Sequence, residues 1–308
     1  MGTSPPPVDG IRAAVTPEAL EAVRDRAPRD VEVVALQDGI DPSRIDFLVP
    51  PSDGSSDIMP HLPRLERLAV VQVLSAGTDW IEELLPRQAT LCSARGARDA
   101  PVAEWILGAL LGTTTGLLEC ARISTWTDRH LTDLAGWTVL VIGMGSIGRM
   151  VQARLEPLGT TVVGVASRAR DDLHGDDELP QLLPQADAVV LLAPLTAATH
   201  GLIGAAELAA MRDGALLVNA ARGPVVDTDA LLAEMSTGRL RAVLDVTDPE
   251  PLPDGHPLWS APGVLSITPH IAGDSAIGHA RAAALAGEQL ARWRAGEPLR
   301  NVVRAGAP

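Results

Sequence analysis

The sequence predicts an α/β chain built on a doubly wound parallel sheet, and three observations predict it. Apolar runs of strand length recur at 138–142, 162–166, 188–192, 216–219, 242–246 and 264–268, with room between them for crossover helices. The first run opens directly into Gly143-Met144-Gly145-Ser146-Ile147-Gly148. Ile147, Val151, Leu155 and Leu158 then follow at helical spacing, and Gly159 stops the helix. Strands alternating with helices imply right-handed crossovers and a sheet covered on both faces.

In chain order, 17–26 reads as a short helix with Thr16 as its cap and Pro17 in its first turn. Strand-like runs at 31–36, 46–49 and 69–74 alternate with helical or loop segments. Asp99 and Pro101 mark the start of a helix whose Leu, Ala and Gly content predicts burial on more than one face. After the six runs above come a last helix at 276–295 and a polar tail at 296–301.

The 308 residues suit one large or two modest domains. Hydrophobic residues make up 46% but aromatics only 2%, with no Tyr and Phe47 as the single Phe, so Val, Ile, Leu and Ala must build the core. A net charge of −14 argues against nucleic-acid or anionic-membrane partners. Cys92 and Cys120 stand in no metal-ligand spacing and fit a reducing compartment, so no metal is expected. The N-terminal ten residues lack the basic and apolar regions of a signal peptide, and Pro6 stands where a myristoylation signal needs Ser or Thr. The apolar stretch 102–118 is interrupted by Glu104 and is too short to span a bilayer. The expectation is a soluble, cytoplasmic protein.

By itself the glycine pattern is weak. Between a strand and a helix it becomes a specific dinucleotide-binding (Rossmann) signature. Gly143 allows the tight turn, Gly145 lets the backbone approach a pyrophosphate, and Gly148 lets helix and strand pack closely. The pyrophosphate then sits on the N–H groups at the helix N-terminus. An NAD site places an acid about 20 residues on, for the ribose hydroxyls. Here that position is Ala166, followed by Ser167, Arg168 and Arg170. A small residue leaves room for a 2′-phosphate, and Arg supplies bidentate, charge-assisted hydrogen bonds to it. NADP (NADPH) is therefore the preferred cofactor. NAD is the alternative, in which Arg168 and Arg170 are loop charges paired with Asp171 and Asp172.

Three polar residues lie downstream, each just past a predicted strand: Arg222, Glu250 and His270. Singly, each is an ordinary loop residue. Together they stand where strand ends open into the ligand crevice of a doubly wound sheet. Reduction of a 2-oxo acid needs a carboxylate anchor, a polarised carbonyl and a proton for its oxygen. Arg222 fits the first two tasks and His270 the third, as general acid or, in the reverse direction, base. Glu250 is the carboxylate that tunes and orients His270.

With these residues the sequence resembles the D-isomer-specific 2-hydroxyacid dehydrogenase family. The resemblance runs from about residue 74 to the C-terminus and is strongest at 143–148, 192–196, 211–227 and 244–273. It implies that Arg222, Glu250 and His270 are catalytic. It implies cofactor contacts at Gly143 to Gly148, Ser167, Arg168, Arg170, Ala193, Pro194, Thr199, Ala220, Ala221, Asp245, His270, Ala272 and Gly273. A loop holding the substrate carboxylate falls on Ser75, Ala76 and Gly77, with Arg222 and His270 as further substrate contacts. The implied plan is a Rossmann cofactor domain, 99–277, inserted into a smaller flavodoxin-like α/β substrate domain, 1–98 and 278–308. A homodimer and D stereochemistry are likewise implied.

Within the family, Ser167-Arg168 is similar to the NADPH-using glyoxylate/hydroxypyruvate reductases. Arg98 stands where relatives tend to have Asn and is expected to face solvent. Glu250 argues against the formate dehydrogenase branch. Two other functions stay open: a co-repressor-like scaffold that senses the cofactor, and a dehydrogenase of another small anion such as phosphite, with Arg98 as an added cation. Trp80 and Trp259 are candidate neighbours of the substrate.

Overall fold

The computed structural model describes residues 10–37, 40–52, 58–126, 128 and 131–307, so the signal-peptide and Pro6 readings lie outside the described residues. The chain divides into two compact units, Met1–Arg98 with Ser275–Pro308, and Asp99–Asp274.

The smaller unit begins with β1 (Ile11–Val15), α1 (Pro17–Arg24), β2 (Val31–Ala35), β3 (Phe47–Val49), β4 (Val70–Gln72) and β5 (Thr90–Cys92). These strands pair in parallel in the order β2-β1-β3-β4-β5, the flavodoxin-like winding. Alternate residues feed opposite faces: Ala13, Phe47 and Val70 enter one core cluster, and Ala14, Leu48 and Val71 the other. Thr16 stands before α1, but its side chain makes no capping hydrogen bond. Its backbone N–H donates instead to the Val49 carbonyl at 2.9 Å, so it continues the pairing of β1 rather than closing the helix. β1 and β5 escape the periodicity because short runs containing Arg, Thr and Ala carry little apolar signal.

The larger unit runs through α2 (Asp99–Thr114), α3 (Leu117–Cys120), β6 (Thr138–Ile142), α4 (Ser146–Leu155), β7 (Thr161–Ala166), β8 (His174–Gly175), α5 (Leu179–Leu182), β9 (Ala188–Leu191), α6 (Ala205–Ala210), β10 (Leu216–Asn219), α7 (Thr228–Thr237), β11 (Arg241–Leu244) and β12 (Val264–Ile267). Its seven strands lie in the order β12-β11-β10-β9-β6-β7-β8, all parallel. One core cluster holds Leu140, Val189 and Leu217; the other, on the opposite face, holds Val141, Val190 and Val218. This sheet is covered on both sides, as its continuous apolar strands require. The chain winds outward from β6 to β8 and then returns to β9 on the other side of β6. The crevice of such a sheet opens at that reversal. In α2 only Glu104, Gly108 and Leu111 are exposed, and the other residues are buried or half-buried. No helix among the described residues is long and apolar enough to cross a membrane.

The chain returns to the smaller unit at Ser275, ahead of the expected changeover after Ile277, because Ser275 caps the returning helix α8 (Ala276–Arg294) by accepting from Gly278 N at 3.0 Å. The tail past α8, read as merely polar, leads into β13 (Val302–Arg304), an antiparallel edge strand on β5. Arg304 fastens it there by donating to the carbonyls of Glu82, Pro86 and Ala89 at 3.0, 2.8 and 3.2 Å.

Candidate active site

β10, β11 and β12 are neighbours in the larger sheet, and Arg222, Glu250 and His270 follow their respective C-terminal ends. Asn219, the last residue of β10, shapes the first turn: its Oδ1 accepts from Ala221 N at 3.0 Å and its Nδ2 donates to the Arg222 carbonyl at 3.2 Å. Arg222 is half-buried, with Nη1 donating to the Ala221 carbonyl at 2.8 Å. The next residue, Gly223, lies flat against the segment leaving β11, where a Cβ would stand 1.9 Å from the Thr247 carbonyl oxygen. That approach brings the Arg222 turn against the strand exit leading to Glu250.

His270 Nδ1 and Glu250 Oε1 are 2.6 Å apart, with the two side chains 47% and 40% exposed, so a ligand can reach them. An ionised carboxylate only accepts, so Nδ1 carries the proton of this bond and Nε2 is left for chemistry. The hydrogen bond from His270 holds the Glu250 carboxyl below its usual range against the opposing effect of burial, and the Arg222 charge adds to the depression.

His270 itself sits at φ 56°, in the left-handed region that non-glycine residues rarely adopt. Asp245, the residue after β11, holds it there. The Asp245 carbonyl accepts from His270 N at 2.8 Å. Its carboxylate, only 3% exposed, accepts from Thr268 Oγ1 at 2.6 Å, Ile271 N at 2.8 Å and Ala272 N at 2.9 Å. Asp245 was expected among the nicotinamide-side contacts; here its oxygens are engaged by the loop that carries His270. The Asn side chain keeps only one acceptor oxygen and turns an NH2 toward a backbone N–H. Asp245→Asn is therefore expected to destabilise the fold by about 1–3 kcal/mol, the cost of a buried unpaired donor, as checked by denaturant unfolding.

The glycine turn between β6 and α4 has the shape its residues predict. Gly143 has φ 110° and packs so closely that a Cβ would lie 2.5 Å from the Leu192 carbonyl carbon. At Gly148 a Cβ would lie 2.6 Å from the Gly143 oxygen, so helix and turn touch backbone to backbone. At Gly145 a Cβ meets nothing within 4 Å, so that face of the turn is open. Ser146 and Ile147 begin α4, whose first N–H groups have no intrahelical partner, so the residues present suit a pyrophosphate. Met144 is buried and packs toward Gly164, leaving only its backbone to the turn.

On the neighbouring strand end, Ala193 is buried and Pro194 exposed. Thr199 Oγ1 donates to the Pro194 carbonyl at 2.6 Å and accepts from Thr196 N at 2.8 Å, so it ties this loop together. Ala221 and Ala272 are buried, while Ala220 and Gly273 are half-buried. Past β7, Ser167, Arg168 and Arg170 are exposed. Asp172 is engaged by Arg149, at 2.8 and 2.9 Å, and neither Arg168 nor Arg170 forms an ion pair among the described residues.

In the smaller unit, Ser75, Ala76 and Gly77 form a self-supported loop: Ser75 Oγ donates to the Gly77 carbonyl at 2.7 Å and accepts from Trp80 Nε1 at 3.4 Å. Trp259, in the larger unit, is 47% exposed and donates from Nε1 to the Pro253 carbonyl. Arg98 does not simply face solvent. It is half-buried, and its Nη2 donates to His279 Nδ1 at 3.2 Å, because α8 returns alongside it. Sequence reasoning missed the Asp245–Thr268 support and the Arg149–Asp172 pair. A signal existed only for the first: an acid at the end of an apolar strand needs donors once buried.

Comparison with known proteins shows the family. The model of the D-isomer specific 2-hydroxyacid dehydrogenase NAD binding domain matches residues 110–272. Glyoxylate/hydroxypyruvate reductase B from Citrobacter koseri is 33% identical over 233 residues, covering 70% of this chain and 71% of that protein. A D-isomer specific 2-hydroxyacid dehydrogenase from Xanthobacter autotrophicus, solved with NADPH and MES, superposes with a TM-score of 0.81 at 30% identity, over 96% of this chain and 98% of its own. The NADPH-dependent glyoxylate/hydroxypyruvate reductase of Sinorhizobium meliloti, solved with NADP and sulfate, gives 0.83 at 27% identity, over 96% and 100%. Carried by the domain match and by similarity along most of its length, this chain belongs to the D-isomer specific 2-hydroxyacid dehydrogenase family and is a nicotinamide-dependent oxidoreductase.

Proposed function

We propose that the chain reduces a small 2-oxo acid to the 2-hydroxy acid with NADPH in preference to NADH. The observation that carries the chemistry is the 2.6 Å bond between His270 Nδ1 and Glu250 Oε1. With Nδ1 held by the carboxylate, Nε2 delivers the proton to the carbonyl oxygen as negative charge develops there. Glu250 stabilises the imidazolium that protonation creates, and the planar fork of Arg222 holds the substrate carboxylate and polarises the carbonyl. Ser75, Ala76 and Gly77 supply amide donors to that carboxylate. When bound, the reduced nicotinamide supplies the hydride. The assigned domains follow: Asp99–Asp274 takes the cofactor, and the smaller unit shapes the substrate.

The depressed Glu250 carboxyl sets a pH expectation. A lowered pKa keeps the anion as pH falls past the usual glutamate value of 4.5, and the His270 bond is lost only below it. The wild-type kcat/KM should hold down to about that pH and then fall, and Glu250→Gln should lack that acid limb. A limb of equal position in both proteins would remove Glu250 from the role.

The NADPH reading rests on Ala166 in place of an acid and on the exposed Arg168. Initial rates with NADPH and NADH against glyoxylate, hydroxypyruvate, pyruvate and phenylpyruvate test it. Wild type should favour NADPH, and Arg168→Ala should lose roughly 10-fold or more of that preference, the worth of a charge-assisted hydrogen bond. Turnover favouring NADH and indifferent to Arg168→Ala would sink the assignment.

A homodimer is part of the same proposal. Leu117, Trp126 and Leu131 of the larger unit are 67%, 100% and 56% exposed, large apolar side chains that a second copy would cover. Sedimentation should show a dimer, converted to monomer by Trp126→Asp; a wild-type monomer at every concentration would refute it.

A further inference from the structure

We propose that Arg149 and Asp172 are the positioning pair of the 2′-phosphate loop, and that Arg149 also keeps that loop net positive; this rests on the NADPH reading above. The segment 167–173 leaves β7 and is fastened at its far end. Arg170 and Leu173 exchange backbone hydrogen bonds of 3.0 and 2.8 Å. The Leu173 side chain is buried over Gly164 of β7, where a Cβ would lie 2.6 Å from Leu173 Cδ2. Between these anchors the chain passes through Asp171 at φ 50°. A further constraint is Asp172, which receives both terminal nitrogens of Arg149, Nη1 at 2.8 Å and Nη2 at 2.9 Å.

Arg149 belongs to α4, the helix that begins at the glycine turn. The fork therefore ties the loop meant for the 2′-phosphate to the helix meant for the pyrophosphate, within one unit. A bidentate guanidinium–carboxylate pair fixes orientation as well as distance, so it sets where Arg168 and Arg170 point.

Charge makes the pair asymmetric. The loop carries Arg168 and Arg170 but also Asp171 and Asp172. The hydrogen bond from Arg149 holds the Asp172 carboxyl down at about 2, so it is an anion throughout the working range. Left uncompensated, that anion repels a phosphate carrying nearly two negative charges. Arg149→Gln thus removes both the brace and the compensation. Asp172→Asn removes the brace and the anion together, so its loss is smaller.

Calorimetric titration of the full chain with 2′,5′-ADP and with 5′-ADP tests this, because only the first carries the 2′-phosphate. Arg149→Gln is expected to weaken 2′,5′-ADP about three- to fivefold and Asp172→Asn less than about twofold, the range open to an exposed ion pair, with 5′-ADP unchanged in both. The swap Arg149→Asp with Asp172→Arg should restore binding to within about twofold of wild type. Arg149→Gln binding 2′,5′-ADP like wild type overturns the proposal, as does equal weakening of both nucleotides. If Arg168→Ala abolishes the discrimination while Arg149→Gln leaves it intact, this inference fails and the NADPH reading stands. A wild type that does not discriminate the two nucleotides overturns the NADPH reading and this inference together.

Discussion

His270→Gln is expected to lower kcat by about 10²- to 10⁴-fold while leaving nucleotide affinity within a factor of about two. Gln matches the size of imidazole and still offers a hydrogen bond to Glu250, so the local packing survives. It cannot transfer a proton near neutral pH, so the loss falls on the chemical step. The folded state should be little disturbed, because the side chain is 47% exposed and the loop is held by Asp245 rather than by the ring. Stopped-flow measurement of NADPH oxidation beside fluorescence titration of the nucleotide separates the two effects. A His270→Gln enzyme within tenfold of wild type would mean that another group, or water, protonates the substrate oxygen.

Gly223→Ala should be as damaging by a different route. The methyl group would stand 1.9 Å from the Thr247 oxygen and 2.2 Å from its carbon, with Asp248 N at 2.7 Å. These are backbone atoms, so no rotamer change relieves the overlap. The Arg222 turn and the strand exit leading to Glu250 must separate, and small displacements of positioned groups cost about 10²-fold in rate. Forced overpacking of a closed backbone contact also costs about 1–3 kcal/mol or more in stability. Loss of activity with a lowered melting temperature is the expected pair of results, against Gly145→Ala as control. At Gly145 the added methyl meets no protein atom within 4 Å, so the fold should stay intact and only nucleotide binding should weaken. Normal stability and turnover in Gly223→Ala would show that the contact yields more easily than its geometry indicates.

Features governed by neighbours in the chain were legible from the residues alone. The strand at Thr138–Ile142, the glycine turn and the helix stop at Gly159 follow from apolar spacing and from backbone conformations that glycine favours. So does the succession of strands ending near Arg222, Glu250 and His270, since a doubly wound sheet sends successive strand ends to one edge. Shorter or mixed segments were not legible. β1, β5 and β13 are held by pairing with partners far along the chain, and no local periodicity announces that. Thr16 looked like a cap by type and place, yet its N–H went to the sheet.

The sequence by itself determined the fold class, the turn that suits a pyrophosphate, and the residue types able to reduce a 2-oxo acid. Only the tertiary structure decided which groups those residues face. Asp245 meets its donors 23 to 27 residues later, Arg149 meets Asp172 across 23, and Arg98 meets His279 across 181. Backbone periodicity is a local property, set by sterics within a few residues. Side-chain partnership is set by where distant strand ends and helices come to rest, and there the demand that buried polar groups be paired selects the partners.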